Sequence, residues 1–283
     1  MKEEGGVRGT HPSRAESTKS RREFAFDELE IADLVVDATY RGGRAGHAGD
    51  DAIGVLLPVG NRGGFRYSGR RGNTKLVVLY TSGADPDWPD TLDRETGRLT
   101  YFGDNKTPGR ELHDTRRGGN ELLKRTFDWI HATPPHREIV PPFLVFGKGP
   151  TGRDAVSMGL AAPGAQDVTP RDDLVAVWKT FGDQRFQNYR ASFTVLDVPV
   201  ISRAWIRSVL AGDPLGAACP GPWRLWVETG VYKPLVAERI RRWRRKAEQL
   251  PIASEGREVL RLIYQHFRHD PVWASRRALP VSG

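Results

Sequence analysis

The chain has 283 residues and a formal charge of +8, with 43 Lys and Arg against 35 Asp and Glu. This length allows one large domain or two modest ones, and the charge favours a polyanionic partner. The single cysteine, Cys219, excludes an internal disulfide and a cysteine-rich zinc site. No apolar run approaches the roughly 20 residues of a membrane span, and the N-terminus lacks the apolar segment of a signal peptide. A cytoplasmic location is therefore expected, with no membrane partner.

The first 22 residues carry almost no large apolar side chains and are predicted to be a disordered basic tail. A glycine-rich loop at 40–51 lacks the context of a phosphate-binding motif. Short strand patterns then follow along the chain: Gly64–Tyr67, Lys75–Thr81, Arg98–Tyr101, Phe143–Gly147, Leu174–Lys179 and Phe186–Leu196. Many short strands with few helices predict an α+β, mainly β fold, built as a curved sheet or open barrel with flanking helices.

Helical patterns are fewer. Apolar residues recur at helical spacing over Asn120–His131. Ser202 is expected to cap a second helix that ends at Gly212. Val231–Leu250 is predicted to be a basic helical extension, whose cations either follow a DNA groove or simply face solvent.

The most informative segment is 76–127. A strand pattern leads to Ser82-Gly83, an acidic loop with one tryptophan follows, and a second strand carries Tyr101 ahead of a basic loop. Rings, carboxylates and cations brought together by two strands suit a site that stacks a flat ring, reads its polar edge and holds phosphates. In a chain this basic, that ring is expected to be a nucleobase.

The same segment resembles the N-terminal domain of the modification-dependent restriction endonucleases of the AspBHI and MspJI type. The motifs YTSG, DWPD, YFGDN and LHDT carry the resemblance, which runs from about Phe24 to Trp205, with weaker similarity to Pro271. A more distant similarity, in motif order alone, is to the SET-and-RING-associated (SRA) domains that flip 5-methylcytosine. The resemblance implies an SRA-like DNA-binding domain, a basic helical linker and a truncated start of an Mrr-like nuclease domain, over 23–212, 213–250 and 251–283 respectively.

For the site, the resemblance implies a pocket that receives an extruded modified cytosine. Tyr101 matches the second aromatic residue of the family motif, and Asp90 is the candidate acceptor for the exocyclic amine, with Asp87 and Asp93 as alternatives. Trp88 is a candidate for the opposite face of the base or for the pocket wall. Asp104 is expected to shape the same pocket. The alternative is that both rings belong to the core and that the acids cap turns in a proline-containing loop.

Affinity is expected to come mainly from phosphate contacts, since a methyl group adds only on the order of 1 kcal/mol of apolar contact. The candidate DNA-binding residues are Arg66, Arg70, Arg71, Lys106, Arg110, His113, Arg116, Arg117 and Asn120, with Arg62, Lys75, Arg185 and Arg190 as further phosphate contacts. For His113 and Asn120, a turn or capping role is an equal alternative.

Two other functions stay open. Asp90, Asp104 and Lys106 fit the short PD…(D/E)-x-K pattern, which would make the chain a complete Mg²⁺-dependent endonuclease. The second alternative function is that of a nucleic-acid-binding protein with no preference for modified bases. On the main interpretation the chain has no catalytic or metal-binding residues and needs no cofactor to bind DNA, and Mg²⁺ serves only the nuclease domain. Its partner is duplex DNA with methylated cytosine, and a second copy or a separate nuclease subunit is a possible further one.

Overall fold

The computed structural model describes residues 23–60, 63–70 and 72–237. The predicted tail at 1–22 and the predicted nuclease start at 251–283 lie outside the described residues. Within the described part there are twelve β-strands and four α-helices. None of these helices combines the length and the apolar character needed to cross a membrane.

Ten of the described strands form one mixed sheet. Its main path runs through β4 (Phe65–Arg70), β5 (Asn73–Thr81), β8 (Phe143–Lys148), β9 (Ala155–Pro163), β11 (Gln184–Val195), β7 (Arg98–Phe102) and β6 (Thr91–Asp93). β10 (Leu174–Phe181) pairs with β11, and β1 (Glu23–Phe24) and β3 (Thr39–Tyr40) join through β9. A separate pair is formed by β2 (Leu34–Val35) and β12 (Val200–Ile201). This architecture confirms the predicted mainly β fold.

The described helices are α1 (Ala52–Leu56), α2 (Gly119–His131), α3 (Arg203–Ala211) and α4 (Gly221–Thr229). Helix α2 agrees with the predicted helix, and its Phe127 packs edge-on against Phe193 of the sheet at 5.7 Å between ring centroids. Helix α3 has the predicted ends. The Ser202 hydroxyl accepts a hydrogen bond from the Trp205 amide at 3.1 Å, and Gly212 ends the helix with φ of 96°.

The folded part continues past residue 212. In α4, Trp223 and Trp226 are buried in the same core, with ring centroids 5.0 Å apart. Residues 231–237 were predicted to begin a basic helix, but they are not helical, and Pro234 forms a bridge with Leu196. Proline has no amide hydrogen and clashes with the preceding helical turn, so a helix through this position is disfavoured. The remainder of the predicted basic helix lies outside the described residues.

Strand β9 was not predicted from the sequence. It lies between β8 and β11, and its last five residues, Gly159–Pro163, are all buried. A strand covered on both faces has no alternation of polar and apolar residues. β5 and β8 are equally buried at Leu76–Leu79 and Phe143–Phe146, but there they consist of Leu, Val and Phe. β9 reads AVSMGLAAP and is rich in small residues, so neither alternation nor strand propensity marks it.

Candidate functional site

A cavity of about 310 Å³ lies beside Tyr101. We call it the Tyr101 cavity. Three parts of the chain line it: the Gly63–Phe65 segment that leads into β4, the Tyr101–Asp104 segment at the end of β7, and the cations Lys106, Arg116 and Arg117. The fold therefore brings Tyr101, Asp104 and three of the predicted cations together around one cavity.

The Tyr101 ring forms the buried part of this wall. It meets the ring of Phe65 edge-on, with centroids 6.3 Å apart, and its hydroxyl donates a hydrogen bond to the Tyr80 carbonyl oxygen at 3.2 Å. Burial raises the pKa of Tyr101 well above its usual value, and the negative charges of Asp90 and Asp104 raise it further. Both carboxylates therefore lie close enough to Tyr101 to act on its hydroxyl.

Asp90 fastens the acidic loop to strand β7. One of its carboxylate oxygens accepts a hydrogen bond from the Phe102 amide at 2.8 Å. Burial raises the pKa of Asp90, and the opposing effects of the Phe102 hydrogen bond and the Lys106 charge do not cancel this. Asp90 is half-buried and lies beside Tyr101 rather than on the cavity wall itself.

Asp104 holds the start of helix α2 against the cavity. Its two oxygens accept hydrogen bonds from the amides of Gly119 at 3.0 Å and Asn120 at 2.8 Å. These are amides that the first turn of a helix leaves without an internal partner, and a negative charge is favourable at that end. Asp104 thus lines the Tyr101 cavity and fixes the start of helix α2 beside it.

Asn120 is fully buried, and its side chain is committed to the interior. Its oxygen accepts from the Asp104 amide at 3.1 Å, and its nitrogen donates to the Leu112 carbonyl at 2.8 Å and to Asn188 at 3.0 Å. A direct DNA contact does not fit this position, because the amide is out of reach of a ligand and already paired. Of the two structural alternatives this geometry supports the turn role: the side chain ties the loop backbone at 104 and 112 to strand β11, and it caps no helix.

The glycine of the YFGDN motif is required by this packing. Asn188 donates to the Gly103 carbonyl oxygen at 3.0 Å, and its own oxygen accepts from the Asn105 amide at 3.3 Å. A β-carbon at position 103 would overlap the side-chain amides of Asn120 and Asn188. Only glycine lets the backbone pass this closely.

Trp88 and Tyr101 do not face each other. The Trp88 ring is buried against Phe102 and Phe186, with centroids 5.4 and 5.9 Å away, and its indole nitrogen donates to the Lys106 carbonyl at 3.4 Å. Successive residues of a strand point to opposite faces, so Phe102 places Trp88 on the other face of β7 from the Tyr101 ring. The predicted sandwich of these two rings is therefore not present, and the pocket-wall and core alternatives fit Trp88 better.

Phe65 is the aromatic residue that does meet Tyr101, and sequence reasoning did not single it out. It is the first residue of β4 and is buried, like many core phenylalanines. The only local signal is the Gly63-Gly64 pair before it, which is typical of any turn.

Cations surround a second cavity of about 330 Å³, which shares Arg116 and Arg117 with the first and adds Arg66. Arg66 is buried, and its guanidinium lies 2.6 Å from the Asp51 carboxylate. Much of its charge is therefore balanced inside the protein, whereas Arg116 and Arg117 are exposed. The other predicted contacts lie elsewhere: Arg70 and Arg110 are exposed outside both cavities, His113 pairs with the Tyr189 hydroxyl at 2.9 Å, and Arg71 is outside the described residues.

The acidic loop before β6 is held by lysines. Lys106 lies 3.1 Å from Asp85, and Lys179 binds Asp87 while its ammonium lies 5.0 Å from the centre of the Trp88 ring. Burial alone would raise the pKa of Asp85, but hydrogen bonds from Lys106 and from two loop amides outweigh it and lower the pKa. Asp85 thus caps a turn, as the structural alternative predicted for this loop.

The nuclease pattern gains no support from this arrangement. Asp104 is occupied by the start of α2, and Lys106 is paired with Asp85. Over residues 23–60, 63–70 and 72–237, no three His, Cys, Asp or Glu side chains come together as a metal site.

The fold and the motif residues around the cavity together define a protein family. The chain belongs to the restriction endonuclease AspBHI N-terminal family, whose sequence model matches residues 34–238. The resemblance seen in the motifs is thereby confirmed.

Solved structures agree. The chain is 46% identical to the DNA recognition domain of the cytosine modification-dependent restriction endonuclease LpnPI, with a TM-score of 0.72 over 76% of this chain and 96% of that one. It is equally similar to the DNA modification-dependent restriction endonuclease AspBHI, at 46% identity and a TM-score of 0.72, covering 76% and 99% of the two chains. The MspJI restriction endonuclease in complex with a 27-mer oligonucleotide shares the fold alone, at 18% identity and a TM-score of 0.53 over 90% and 63%. Comparison with curated proteins gives no match.

Proposed function

We propose that this chain binds duplex DNA and holds a modified cytosine, swung out of the helix, in the Tyr101 cavity. The observation that carries the proposal is the cavity itself, in which a buried aromatic ring lies below three cations, Lys106, Arg116 and Arg117. Its volume is in the range of small-ligand sites. Family membership and the likeness to a DNA recognition domain support the same function.

In this proposal each residue of the site has a separate role. Tyr101 offers the ring against which the base lies. Asp90 accepts from the exocyclic amine, since it is a half-buried carboxylate beside Tyr101 and a charge-assisted hydrogen bond is strong there. Asp104 sets the pocket shape through α2, and Trp88 supports the wall from the far side of β7.

The energetics assign affinity and discrimination to different groups. Extruding a base costs a few kcal/mol, while the methyl group returns only on the order of 1 kcal/mol. Affinity therefore rests on phosphate contacts by the exposed cations, and the preference for the modified base rests on close fit around Tyr101 and Phe65.

We further propose that the chain is the reading part of a modification-dependent restriction system. The basic segment up to residue 250 serves as a linker, and the residues from 251 onward correspond to the start of a nuclease domain. Mg²⁺ belongs to that nuclease function rather than to DNA binding. We also propose that a second copy of the chain or a separate nuclease subunit associates with it.

The test compares matched duplexes with cytosine or 5-methylcytosine at one position, by fluorescence anisotropy. The wild-type chain should bind the methylated duplex more tightly. Tyr101→Ala and Asp90→Ala should bring the two affinities together, whereas Tyr101→Phe keeps the ring and should keep the preference. A methyl preference that is the same in the wild type and in all three variants would discard this site.

A further inference from the structure

The outer half of the β10–β11 hairpin leaves the sheet as a two-stranded arm. Strand β11 pairs with β7 only over Arg190–Thr194 and with β9 only over Phe193–Val195. Below residue 190, its only strand neighbour in the described part of the chain is β10, with pairs from Ala176↔Tyr189 to Phe181↔Gln184. Asn188 and Tyr189 are still buried against residues 103–105, so we call only residues 178–187 the arm.

The arm exposes two large aromatic side chains. Phe181 is 68% exposed and Trp178 is 58% exposed, and Phe181 has the highest value among the large hydrophobic side chains that are exposed in the described residues. Because they are three positions apart on one strand, they point to opposite faces of the ribbon. The protein's own acidic loop covers part of the Phe181 face, where Phe186 and Lys179 contact Trp88. The surface left for a partner is the Trp178 face and the exposed Phe181 ring near the turn.

The Trp178 face of the arm carries the cation Arg185 and no carboxylate, since the arm's one acid, Asp183, lies in the turn at its end. This face therefore favours a polyanion as its partner. The Arg185 guanidinium lies over the Trp178 ring, 4.9 Å from its centre, and within the described residues no carboxylate is within salt-bridge distance of it. Lys179 is on the other face, where it holds the arm to Asp87. Aromatic rings beside unneutralised arginine are the combination with which proteins stack on bases and follow the phosphate backbone.

A short chain of contacts joins the arm to the Tyr101 cavity. Phe186 of the arm packs against Trp88, with ring centroids 5.9 Å apart. The Trp88 indole nitrogen donates a hydrogen bond to the backbone carbonyl of Lys106, and the side chain of Lys106 lines the Tyr101 cavity.

These contacts lie on the Trp88 side of β7, but the strand register places Trp178 and Arg185 on the Tyr101 side. Ala191 is opposite Tyr101, and the alternate residues 189, 187 and 185, with Trp178 opposite 187, point to the same face. DNA with a base in the Tyr101 cavity would therefore pass next to the Trp178 face of the arm. The major groove of B-DNA has the width to accept a two-stranded β-ribbon.

We propose that the arm is a second DNA contact, which enters the groove next to the cavity. Phe181 and Trp178 pack on the edges of bases, and Arg185 binds a phosphate. The inference rests on the proposed function only in taking duplex DNA as the partner, since nothing in the arm distinguishes a modified base from a plain one.

The experiment measures the affinity of the full chain for plain and methylated duplexes over a range of salt concentrations. Phe181→Ala and Trp178→Ala should weaken binding to both duplexes by the same factor, about tenfold for the loss of a buried aromatic contact. Their salt dependence should stay as in the wild type, because no phosphate contact is lost. Arg185→Ala should lower the slope of log affinity against log salt by about one.

The matched control is Ile31→Ala, which removes another exposed apolar side chain, 61% exposed, and should leave the affinity unchanged. Unchanged affinity in the three arm variants overturns the proposal. So does a loss of self-association in sedimentation with unchanged DNA affinity, which would make the rings a contact between copies. If the wild type binds plain and methylated duplexes equally, the modified-base proposal fails, while the arm still stands on the tenfold loss. If the wild type binds neither duplex, both proposals fail.

Discussion

The side-chain amides of Asn120 and Asn188 meet inside the protein, where the Asn120 nitrogen donates to the Asn188 oxygen at 3.0 Å. Asn120 belongs to α2 and Asn188 to β11, and both are fully buried. Between them they hold the backbone at Gly103, Asp104 and Asn105, just after the strand that carries Tyr101. The wall of the Tyr101 cavity is thus fixed to the sheet and to a helix at once.

Asn188→Ala is expected to destabilise the folded chain by at least about 3 kcal/mol, because several buried polar groups lose a partner together. Urea unfolding followed by circular dichroism gives the value. Gln184→Ala is the matched control, since Gln184 is exposed on the same strand. A loss as small as that of the control, roughly 0.5 kcal/mol, would show that the amide network does not hold this wall.

Asp90→Asn is expected to make the folded chain more stable at neutral pH. Burial raises the pKa of Asp90 above its usual 3.8, so ionisation costs more in the folded chain than in the unfolded one. This destabilising contribution appears as the pH rises from 3.8 through the folded pKa, and it persists above that range. The gain in unfolding free energy of the variant should therefore shrink as the pH falls towards 3.8. A variant less stable than the wild type at neutral pH would show that the ionised form is favoured by folding.

The methyl preference of the wild type should weaken as the pH falls. Protonation puts a hydrogen on one carboxyl oxygen of Asp90, so the side chain accepts a hydrogen bond from the exocyclic amine of the base less well. The ratio of affinities for methylated and plain duplexes is the quantity to follow, because effects of pH that are common to both duplexes cancel in it. In Asp90→Asn the ratio should be low and independent of pH. A wild-type ratio that stays constant down to the unfolding pH would assign the amine to another acceptor.

Trp88→Phe should keep the methyl preference, because the Trp88 ring lies on the face of β7 away from Tyr101. Trp88→Ala should instead unfold more easily, by about 3 kcal/mol or more, through loss of its buried contacts with Phe102 and Phe186. Anisotropy and urea unfolding on the same samples separate the two effects. Loss of preference in Trp88→Phe at unchanged stability would place this ring against the base after all.

Replacing both Arg116 and Arg117 by alanine should weaken binding to plain and methylated duplexes alike and lower the salt slope by about two. Both are exposed and line both cavities. Arg207→Ala, at an exposed arginine of α3 that lines neither cavity, is the control and should leave the slope unchanged. An unchanged slope in the double variant would move the DNA path away from the Tyr101 cavity.

Much of the fold was predictable because its signals are local. Alternation in β11, helical spacing in α2, the Ser202 cap and the Gly212 stop each depend on residues within a few positions of one another. β9 escaped prediction because it combines burial on both faces with small residues of low strand propensity, and α4 because its tryptophans show their role only against a distant core.

The sequence by itself determined the family, through the order of its motifs, and the candidates for the site, through the clustering of rings, acids and cations between residues 76 and 127. The tertiary structure alone decided how these residues are arranged. It placed Tyr101 on a cavity, Trp88 behind the strand and Asn120 in the interior. Which face of strand β7 lines the cavity depends on the distant segments that pack against it. Phe65 packs on the Tyr101 side, and Phe186 packs with Trp88 on the other side. Such pairings between segments far apart in the chain leave no mark in local residue spacing.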